Sequence, residues 1–323
     1  MIGPIADGPV DVHAHWLPAE LFGLPPGAPY GPLRDSGGEL HLGEVPLSIP
    51  ARAMSDVPAI VAGTAAAGLG VRVLSAPPFA FPVAGPAAEY VDAFNTALAE
   101  VVASAGGALA GLGLVSLDDD AVVTEQLKRL AAQPGIAGVA IPPLLGGESL
   151  DRGVLRHVLG ESARLGLSVL VHPMQLPRPE WRDHYLANLL GNPVETATAV
   201  GALLLGGVLD QLPDLRICFV HGGGCTPGVL GRWDHGWRTR ADVRRDSSRP
   251  PGEAVRALWF DTVTHDPELL RLLTTRVGEH AVVCGSDHPF DMAQPDPVGF
   301  ATAAGLDVAT LAANARAFLG AGS

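Results

Sequence analysis

Lysine is almost absent from this chain: Lys128 is the only lysine among 21 basic residues in a sequence of 323. Charged residues make up 17% of the sequence, and the excess of acidic ones gives a formal net charge of −13. A field of that sign repels phosphate backbones, which argues against a nucleic-acid partner. With 47% hydrophobic residues, the composition is the opposite of a disordered chain and predicts a large buried core.

Cysteine is scarce as well, with Cys218, Cys225 and Cys284 as the only three. Their number is odd and no two have the spacing of a metal site, which favours reduced thiols. The first residues lack the basic and apolar segments of a signal peptide. Apolar runs are interrupted by glycine, proline or charge before they reach the length of a membrane span. We therefore expect a cytoplasmic protein without a membrane partner.

Short apolar runs alternate with longer stretches rich in alanine and leucine. The runs predicted as strands are Val10–His13, Val71–Ala76, Leu109–Leu114, Ile136–Ile141, Ser168–His172, Arg216–His221, Ala257–Asp261 and Ala281–Cys284. The predicted helices are Ala87–Ala105, Asp119–Ala132, Asp151–Leu165, Val194–Gln211 and Pro267–Val277. Strands that alternate with helices indicate a parallel sheet, and eight such units favour a closed (β/α)₈ TIM barrel. We predict an α/β fold with a single domain over residues 1–323.

Two long segments do not fit a plain barrel. Residues 17–55 follow the first predicted strand, and residues 173–192 follow the fifth; the first is rich in proline, glycine and polar residues. Loops that follow barrel strands lie at the carboxyl-terminal face, where barrel enzymes carry their active sites. We expect these two insertions to cover a substrate, although variable surface loops have a similar composition.

Histidine and aspartate side chains stand where four of the predicted strands end. His13 and His15 form an H-x-H pair on strand 1, and residues two apart on a strand point the same way. His172 ends strand 5, His221 ends strand 6, and Asp287 follows strand 8. A single buried histidine is usually a packed core residue. Together at one end of a barrel, these side chains predict a metal site.

These motifs resemble the amidohydrolase superfamily. The matching positions are the H-x-H pair, VHP at 171–173, HGGG at 221–224 and SDHPF at 286–290. The stretches YLANLLGNP at 185–193, GRWDHG at 231–236 and THDP at 264–267 are similar to the branch that contains aminocarboxymuconate-semialdehyde decarboxylase and related decarboxylases. The resemblance runs from Val10 to about Gly320.

The resemblance implies that His13, His15, His172 and Asp287 are the metal ligands, with His221 and Asp287 as catalytic groups beside a metal-bound water. Three imidazoles and one carboxylate suit one divalent ion, for which we expect Zn²⁺. Members with two metals bridge them with a modified lysine at the end of strand 4. Here that strand ends in Ile141 and two prolines, so we expect one metal. We also considered Asp11 as a hydrogen-bond partner of His13 or His15.

Four further residues are predicted to bind the substrate: Arg232, Asn188, Trp181 and Arg52. The decarboxylase has an arginine in the insertion after strand 1, where this chain has Leu47 or a near neighbour, with Arg52 close by. Arg232 matches an arginine that the family can lend across a dimer interface, so we expect a homodimer. The alternative for Arg232 is an ordinary salt bridge on its helix, and an exposed arginine elsewhere is usually a solvated surface charge.

Decarboxylation of a small unsaturated or aromatic carboxylic acid, assisted by metal-bound water and His221, is the function that the resemblance favours. The alternative is hydrolysis of a lactone, an amide or a carbon–carbon bond on the same site, since the carboxylate-binding arginine is missing. A third hypothesis is a barrel without catalysis or without its metal, and the complete ligand set argues against it.

Overall fold

The computed structural model describes residues 8–321, and its centre is a sheet of eight parallel strands. We number them β1 to β8 in chain order: Val10–His15, Val71–Ser75, Leu109–Gly113, Ile136–Ile141, Ser168–Val171, Arg216–Phe219, Trp259–Asp261 and Val282–Val283. Each strand pairs with the next one along the chain. All eight predicted strands are present, and their ends differ from the prediction by no more than two residues.

Hydrogen bonds between the first strand and the segment after the last one close the barrel. The backbone N–H of Val12 donates to the carbonyl of Cys284 at 2.9 Å, and that of Asp287 donates to the carbonyl of His13 at 2.8 Å. The pairing of β1 with β2 shifts register between Asp11 and Ala14, at the position of the H-x-H pair. A bulge of this kind redirects side chains at a strand end. The prediction of a (β/α)₈ barrel is confirmed.

Helices surround the barrel, and the longer ones have a buried apolar face. Those between β2 and β8 are Ala88–Ser104, Asp120–Ala132, Gly153–Leu165, Asn192–Leu205, Val208–Gln211, Thr226–Thr239, Pro251–Ala254 and Pro267–Val277, and Pro297–Ala303 and Val308–Leu319 follow β8. The predicted helix 194–211 is interrupted, because Gly207 adopts a φ of +67° that a helix cannot contain.

Over residues 8–321 no single helix is long and apolar enough to cross a membrane. Only the two helices after β8, which are bent relative to each other, meet that test when they are taken together.

The insertion after β1 contains regular structure that the sequence analysis did not predict. It forms a three-stranded antiparallel sheet of Leu33–Ser36, Glu39–Leu42 and Val45–Pro50, followed by the helices Ala51–Ser55 and Val57–Ala66. The first hairpin turns on Gly37 and Gly38, which have φ values of +68° and +95°. Two glycines between short alternating runs are typical of such a turn, so a hairpin signal was present in the sequence.

The insertion after β5 is mostly irregular, with a 3₁₀ turn at Pro179–Trp181 and a π-helical turn at Ala187–Gly191. One hydrogen bond links it to the insertion after β1, because the hydroxyl of Tyr30 donates to the carbonyl of Met174 at 3.1 Å. The two insertions therefore meet beside the strand ends that carry the predicted site.

Candidate metal centre

Four side chains from three parts of the barrel meet at the carboxyl-terminal end of the strands. His13 and His15 lie on β1, His172 directly follows β5, and Asp287 lies four residues beyond β8. All four are buried, with between 0% and 6% of their surface exposed. The end of a closed barrel brings β1 and β8 together, which explains how residues 272 positions apart become neighbours.

The potential ligand atoms face a common centre. Oδ1 of Asp287 lies 3.2 Å from Nε2 of His13, 3.1 Å from Nε2 of His15 and 3.8 Å from Nε2 of His172. The Nε2 atoms of His13 and His15 are 3.2 Å apart. All four ligand atoms lie within 4.8 Å of one another.

The other ring nitrogen of each histidine is held by an oxygen. Nδ1 of His13 donates to Oδ2 of Asp261 at 2.6 Å, Nδ1 of His15 to the carbonyl of Ala76 at 3.2 Å, and Nδ1 of His172 to the carbonyl of Pro173 at 2.6 Å. A neutral imidazole that donates from Nδ1 has its lone pair on Nε2. All three lone pairs therefore point at the common centre, as they do in histidines that bind a metal.

This geometry fits one divalent ion. Nε2 of His172 is buried and has no hydrogen-bond partner among residues 8–321, which leaves a polar atom that a cation would satisfy. Ligands at about 2.1 Å from a tetrahedral ion are about 3.4 Å from each other, close to the spacings seen here. The four predicted ligands are thus the ones that the fold brings together. Such a site takes a divalent metal.

The electrostatics of the cluster favour the metal-binding protonation states of His172 and Asp287 but not that of His13. Burial lowers the pKa of His172 to about 3, with a further contribution from the neighbouring histidines, so its ring is neutral at pH 7. The pKa of Asp287 lies well below its usual range because the surrounding histidines outweigh the cost of burial. Burial lowers the pKa of His13, but Asp287 and Asp261 outweigh it and raise the pKa to about 10. At pH 7 His13 is therefore protonated, and a cation that binds its Nε2 must displace this proton.

His221 lies beside the cluster rather than within it. Its Nε2 is 3.3 Å from Oδ2 of Asp287, the carboxylate oxygen that does not face the other three histidines. Its backbone has a φ of +54°, and three glycines with positive φ follow. At Gly224 a side chain would lie 2.2 Å from the carbonyl oxygen of Pro193. These glycines therefore allow a tight turn packed against the helix that starts at Asn192.

Asp11 does not hold an imidazole, in contrast to the interaction that we considered. Its carboxylate accepts hydrogen bonds from the backbone N–H of His13 at 3.2 Å, from both donors of Ser286 and from Nε of Arg72 at 3.0 Å. The imidazole of His13 instead donates to Asp261, which the sequence analysis missed. Asp261 ends β7, and its position at the same barrel end as the four ligands was the available signal.

A cavity of about 370 Å³ opens onto the metal cluster. His172, His221 and Asp287 form its inner end. Its apolar lining consists of Leu42, Val45, Pro46, Leu47, Pro78, Phe79, Met174, Phe290 and Met292. Its other polar residues are Tyr30, Gln175, Tyr185, Asn188, Asn192 and Asp291. The two insertions thus provide much of the cavity wall, as expected of segments that cover a substrate.

The four predicted substrate-binding residues are placed differently from one another. Asn188 lines the cavity. Arg52 is exposed and pairs with Asp56 at 2.7 Å, and it is not part of the cavity wall. Trp181 is buried outside the cavity and packs against Gly191. Arg232 is exposed on the helix Thr226–Thr239, with no ion pair inside the described chain.

Glu195 is a further residue that the sequence analysis did not identify. It lies on the helix that begins at Asn192, and its carboxylate accepts the backbone N–H groups of Met174 at 2.9 Å and Leu176 at 2.6 Å. The backbone of Met174 is therefore held at both polar groups: its N–H donates to Glu195, and the carbonyl of Met174 accepts the hydroxyl of Tyr30. These bonds fix the segment that directly follows the ligand His172.

The comparisons with known proteins agree with this site. The family described as amidohydrolase matches residues 10–320. A 2-amino-3-carboxymuconate-6-semialdehyde decarboxylase from Dictyostelium discoideum is 31% identical over 70% of this chain, a match that spans 65% of that protein. Less than two thirds of that relative's length is therefore covered.

Two solved structures have the same fold. The apo form of Metarhizium anisopliae IDCase has a TM-score of 0.80 at 20% identity, covering 98% of this chain and 97% of that one. A 5-carboxyvanillate decarboxylase from Novosphingobium aromaticivorans, complexed with manganese and a nitrobenzoic acid, has a TM-score of 0.77 at 16% identity, covering 98% and 96%. The predicted resemblance to the decarboxylase branch is confirmed, and the chain belongs to the amidohydrolase family.

Proposed function

We propose that this protein is a metal-dependent decarboxylase of small aromatic or unsaturated carboxylic acids. The observation that carries the proposal is the cluster of three imidazole Nε2 atoms around Oδ1 of Asp287 at the inner end of a mainly apolar cavity. A cavity of about 370 Å³ is within the size range of sites for small molecules. The names of the similar proteins support the same class of reaction.

A divalent ion on His13, His15, His172 and Asp287 would supply a Lewis acid that binds the carboxylate and a neighbouring oxygen of the substrate. The chain's own residues fix the substrate against that centre. The rings of Phe79 and Phe290 are T-shaped to each other at 6.3 Å and form an apolar wall. Phe290 also packs against His15 at 5.0 Å. A flat ring can lie on such a wall with its carboxylate towards the cluster.

The proton for the reaction comes, in this proposal, from His221, which the ionised carboxylate of Asp287 orients. Nε2 of His221 lies 3.3 Å from Oδ2 of Asp287, and both residues lie at the inner end of the cavity. The proton forms a C–H bond at the ring carbon that carries the carboxylate. The bond to the carboxylate then breaks, its electron pair returns to the ring, and CO₂ leaves.

Zinc is the ion that we propose for this site, because three nitrogen ligands and one oxygen ligand suit it. Manganese is the alternative, since it is named in a structure of the same fold. Reconstitution of the metal-free protein with each ion, followed by measurement of affinity and of kcat, distinguishes the two. Higher activity with manganese would contradict the choice of zinc.

A homodimer remains part of the proposal. Arg232 is exposed, and apolar side chains are exposed at Leu189, Leu190 and Leu272. Exposed apolar residues of this kind are suited to a subunit interface. Light scattering on the purified protein should give twice the chain mass of 33.3 kDa. A monomer at micromolar concentration would remove the support for Arg232 as a residue lent across an interface.

Release of labelled CO₂ tests the main proposal. The metal-loaded protein is incubated with hydroxybenzoic acids that carry ¹³C in the carboxyl group, and the headspace is analysed by mass spectrometry. We expect labelled CO₂ in an amount equal to the decarboxylated product. If no acid releases CO₂ while esters, lactones or amides are cleaved with incorporation of ¹⁸O from water, the site is that of a hydrolase.

A further inference from the structure

The cavity contains no cationic side chain apart from the histidines of its inner end. None of its lining residues within 8–321 is an arginine or a lysine. Among the described residues of its wall, the carboxylic acids are Asp287, which belongs to the metal cluster, and Asp291. A carboxylate at the metal is therefore compensated by the ion, whereas a second negative charge elsewhere in the cavity has no cationic partner among the described residues of the same chain.

The part of the wall formed by the insertion after β1 is strongly apolar. Leu42, Val45 and Leu47 from the three-stranded sheet all line the cavity. An anion that loses its hydration shell against such a surface, without a hydrogen bond or an opposite charge, is strongly destabilised. The side chains of this wall thus accept neutral or apolar groups.

Several arginines of the two insertions are already engaged elsewhere. Arg52 pairs with Asp56, and Arg34 lies 3.6 Å from Glu44. The guanidinium of Arg178 lies over the ring of Trp181, 4.8 Å from its centre. None of these three arginines lines the cavity.

We infer that the substrate has a single carboxylate, the one that is lost, and that its remaining substituents are uncharged. This inference rests on the proposed function, which places a carboxylate at the metal. The apolar wall and the charge of Asp291 disfavour any second anionic group. The same site would accept a hydroxyl, which Tyr30, Asn188 or Asn192 can contact, or an alkyl group against Leu47.

A pair of matched acids tests the inference by binding alone. In 2-hydroxy-4-nitrobenzoate and 2-hydroxyterephthalate, a neutral nitro group and a carboxylate of nearly the same planar shape occupy the position opposite the reacting carboxylate. Titration calorimetry on the metal-loaded protein should give a Kd at least about ten-fold lower for the nitro acid, since an uncompensated like charge is costly. Equal Kd values would overturn the inference and would indicate a cation from another source, such as a second copy of the chain.

Two substitutions examine the cause of the preference. The relevant quantity is the Kd of the diacid divided by the Kd of the nitro acid. Leu47→Arg adds a cation to the apolar wall and Asp291→Asn removes an anion, so each should reduce this ratio several-fold. Leu47→Met changes the same wall without adding charge and should leave the ratio as it is in the wild type. A ratio that neither charge change alters would contradict the inference.

The failure of this inference is distinguishable from failure of the proposed function. If the nitro acid binds preferentially but no hydroxybenzoate releases CO₂, the selectivity stands and decarboxylation is wrong. If CO₂ is released equally well from the monoacid and the diacid, decarboxylation stands and the selectivity is wrong. If neither acid binds the metal-loaded protein, both are wrong, because both require a carboxylate at the metal.

Discussion

Nδ1 of His13 lies 2.6 Å from Oδ2 of Asp261, and both side chains are fully buried. The second oxygen of Asp261 accepts the backbone N–H of Gly222 at 2.9 Å and that of Val263 at 3.1 Å. One carboxylate therefore orients a metal ligand and fixes the turn that follows His221. The pKa of Asp261 is lowered despite its burial, because His13 stabilises the charged form. Asp261 is thus a positioning residue for the ligand His13 and for the turn that follows His221.

Asp261→Asn should weaken metal binding by about 10- to 100-fold, which is typical of losing a carboxylate behind a metal-binding histidine. The amide keeps the shape of the side chain but lacks the negative charge that orients the ring of His13. Competition with a zinc chelator measures the affinity. Asp266→Asn is the matched control, because Asp266 is an exposed residue that caps the helix Pro267–Val277, and asparagine caps equally well. Unchanged affinity in Asp261→Asn would show that the hydrogen bond serves only packing.

His172→Ala should remove the metal, because it deletes one of the four converging ligands. We expect about one ion per chain in the wild type and a strong loss in the variant, as in Asp287→Ala. Inductively coupled plasma mass spectrometry on dialysed protein gives the content. His157→Ala, which changes a partly exposed histidine on the helix Gly153–Leu165, serves as the control. A wild type that remains free of metal after zinc is supplied would contradict the metal site.

The sequence was most informative where a local pattern also determines the tertiary position. The helix Pro267–Val277 and the strand Ile136–Ile141 have the predicted bounds. The helix begins after an aspartate that caps it, with proline in the first turn, and both signals act locally. The metal ligands were predictable for a different reason, since every parallel strand of a barrel ends at the same face.

The residues that the sequence analysis missed act through contacts that no local pattern specifies. Glu195 lies in the first turn of the helix Asn192–Leu205, and only the folded chain shows that it binds the N–H groups of Met174 and Leu176. In the sequence, Asp261 is one polar residue at a strand end, and only the folded chain shows its contact with the ring of His13. For Asp11 the sequence left open an imidazole partner or a cap at the strand end, whereas the barrel places it beside Arg72 and Ser286.

His221→Asn should reduce kcat by about 10²- to 10⁴-fold, the range typical of losing a general acid, while the metal content stays near that of the wild type. The reason is geometric: His221 contacts the outer oxygen of Asp287 and is not among the four converging ligands. Steady-state assays of CO₂ release together with metal analysis separate the two effects. His280→Asn, at an exposed position, should change neither quantity. Loss of the ion in His221→Asn would instead make His221 a ligand.

Glu195→Gln should change the pH dependence of stability. Burial raises the pKa of Glu195 above 4.5, although the N–H groups of Met174 and Leu176 oppose the shift. The folded protein therefore holds this proton more tightly than the unfolded chain, and the stabilisation is complete below pH 4.5. As the pH rises through the raised pKa, the wild type loses that contribution.

Glutamine cannot titrate, and its single oxygen cannot accept both N–H groups as the carboxylate does. The advantage of the wild type over Glu195→Gln in the free energy of unfolding should consequently be larger near pH 4.5 than at pH 7. Urea denaturation of both proteins across this range measures the difference. Glu180→Gln removes the same charge from an exposed position in the insertion after β5 and should show no such trend. The opposite result would be a wild type whose stability, relative to Glu195→Gln, increases as the pH rises. In that case the hydrogen bonds to Met174 and Leu176 would outweigh burial, and the pKa of Glu195 would lie below 4.5.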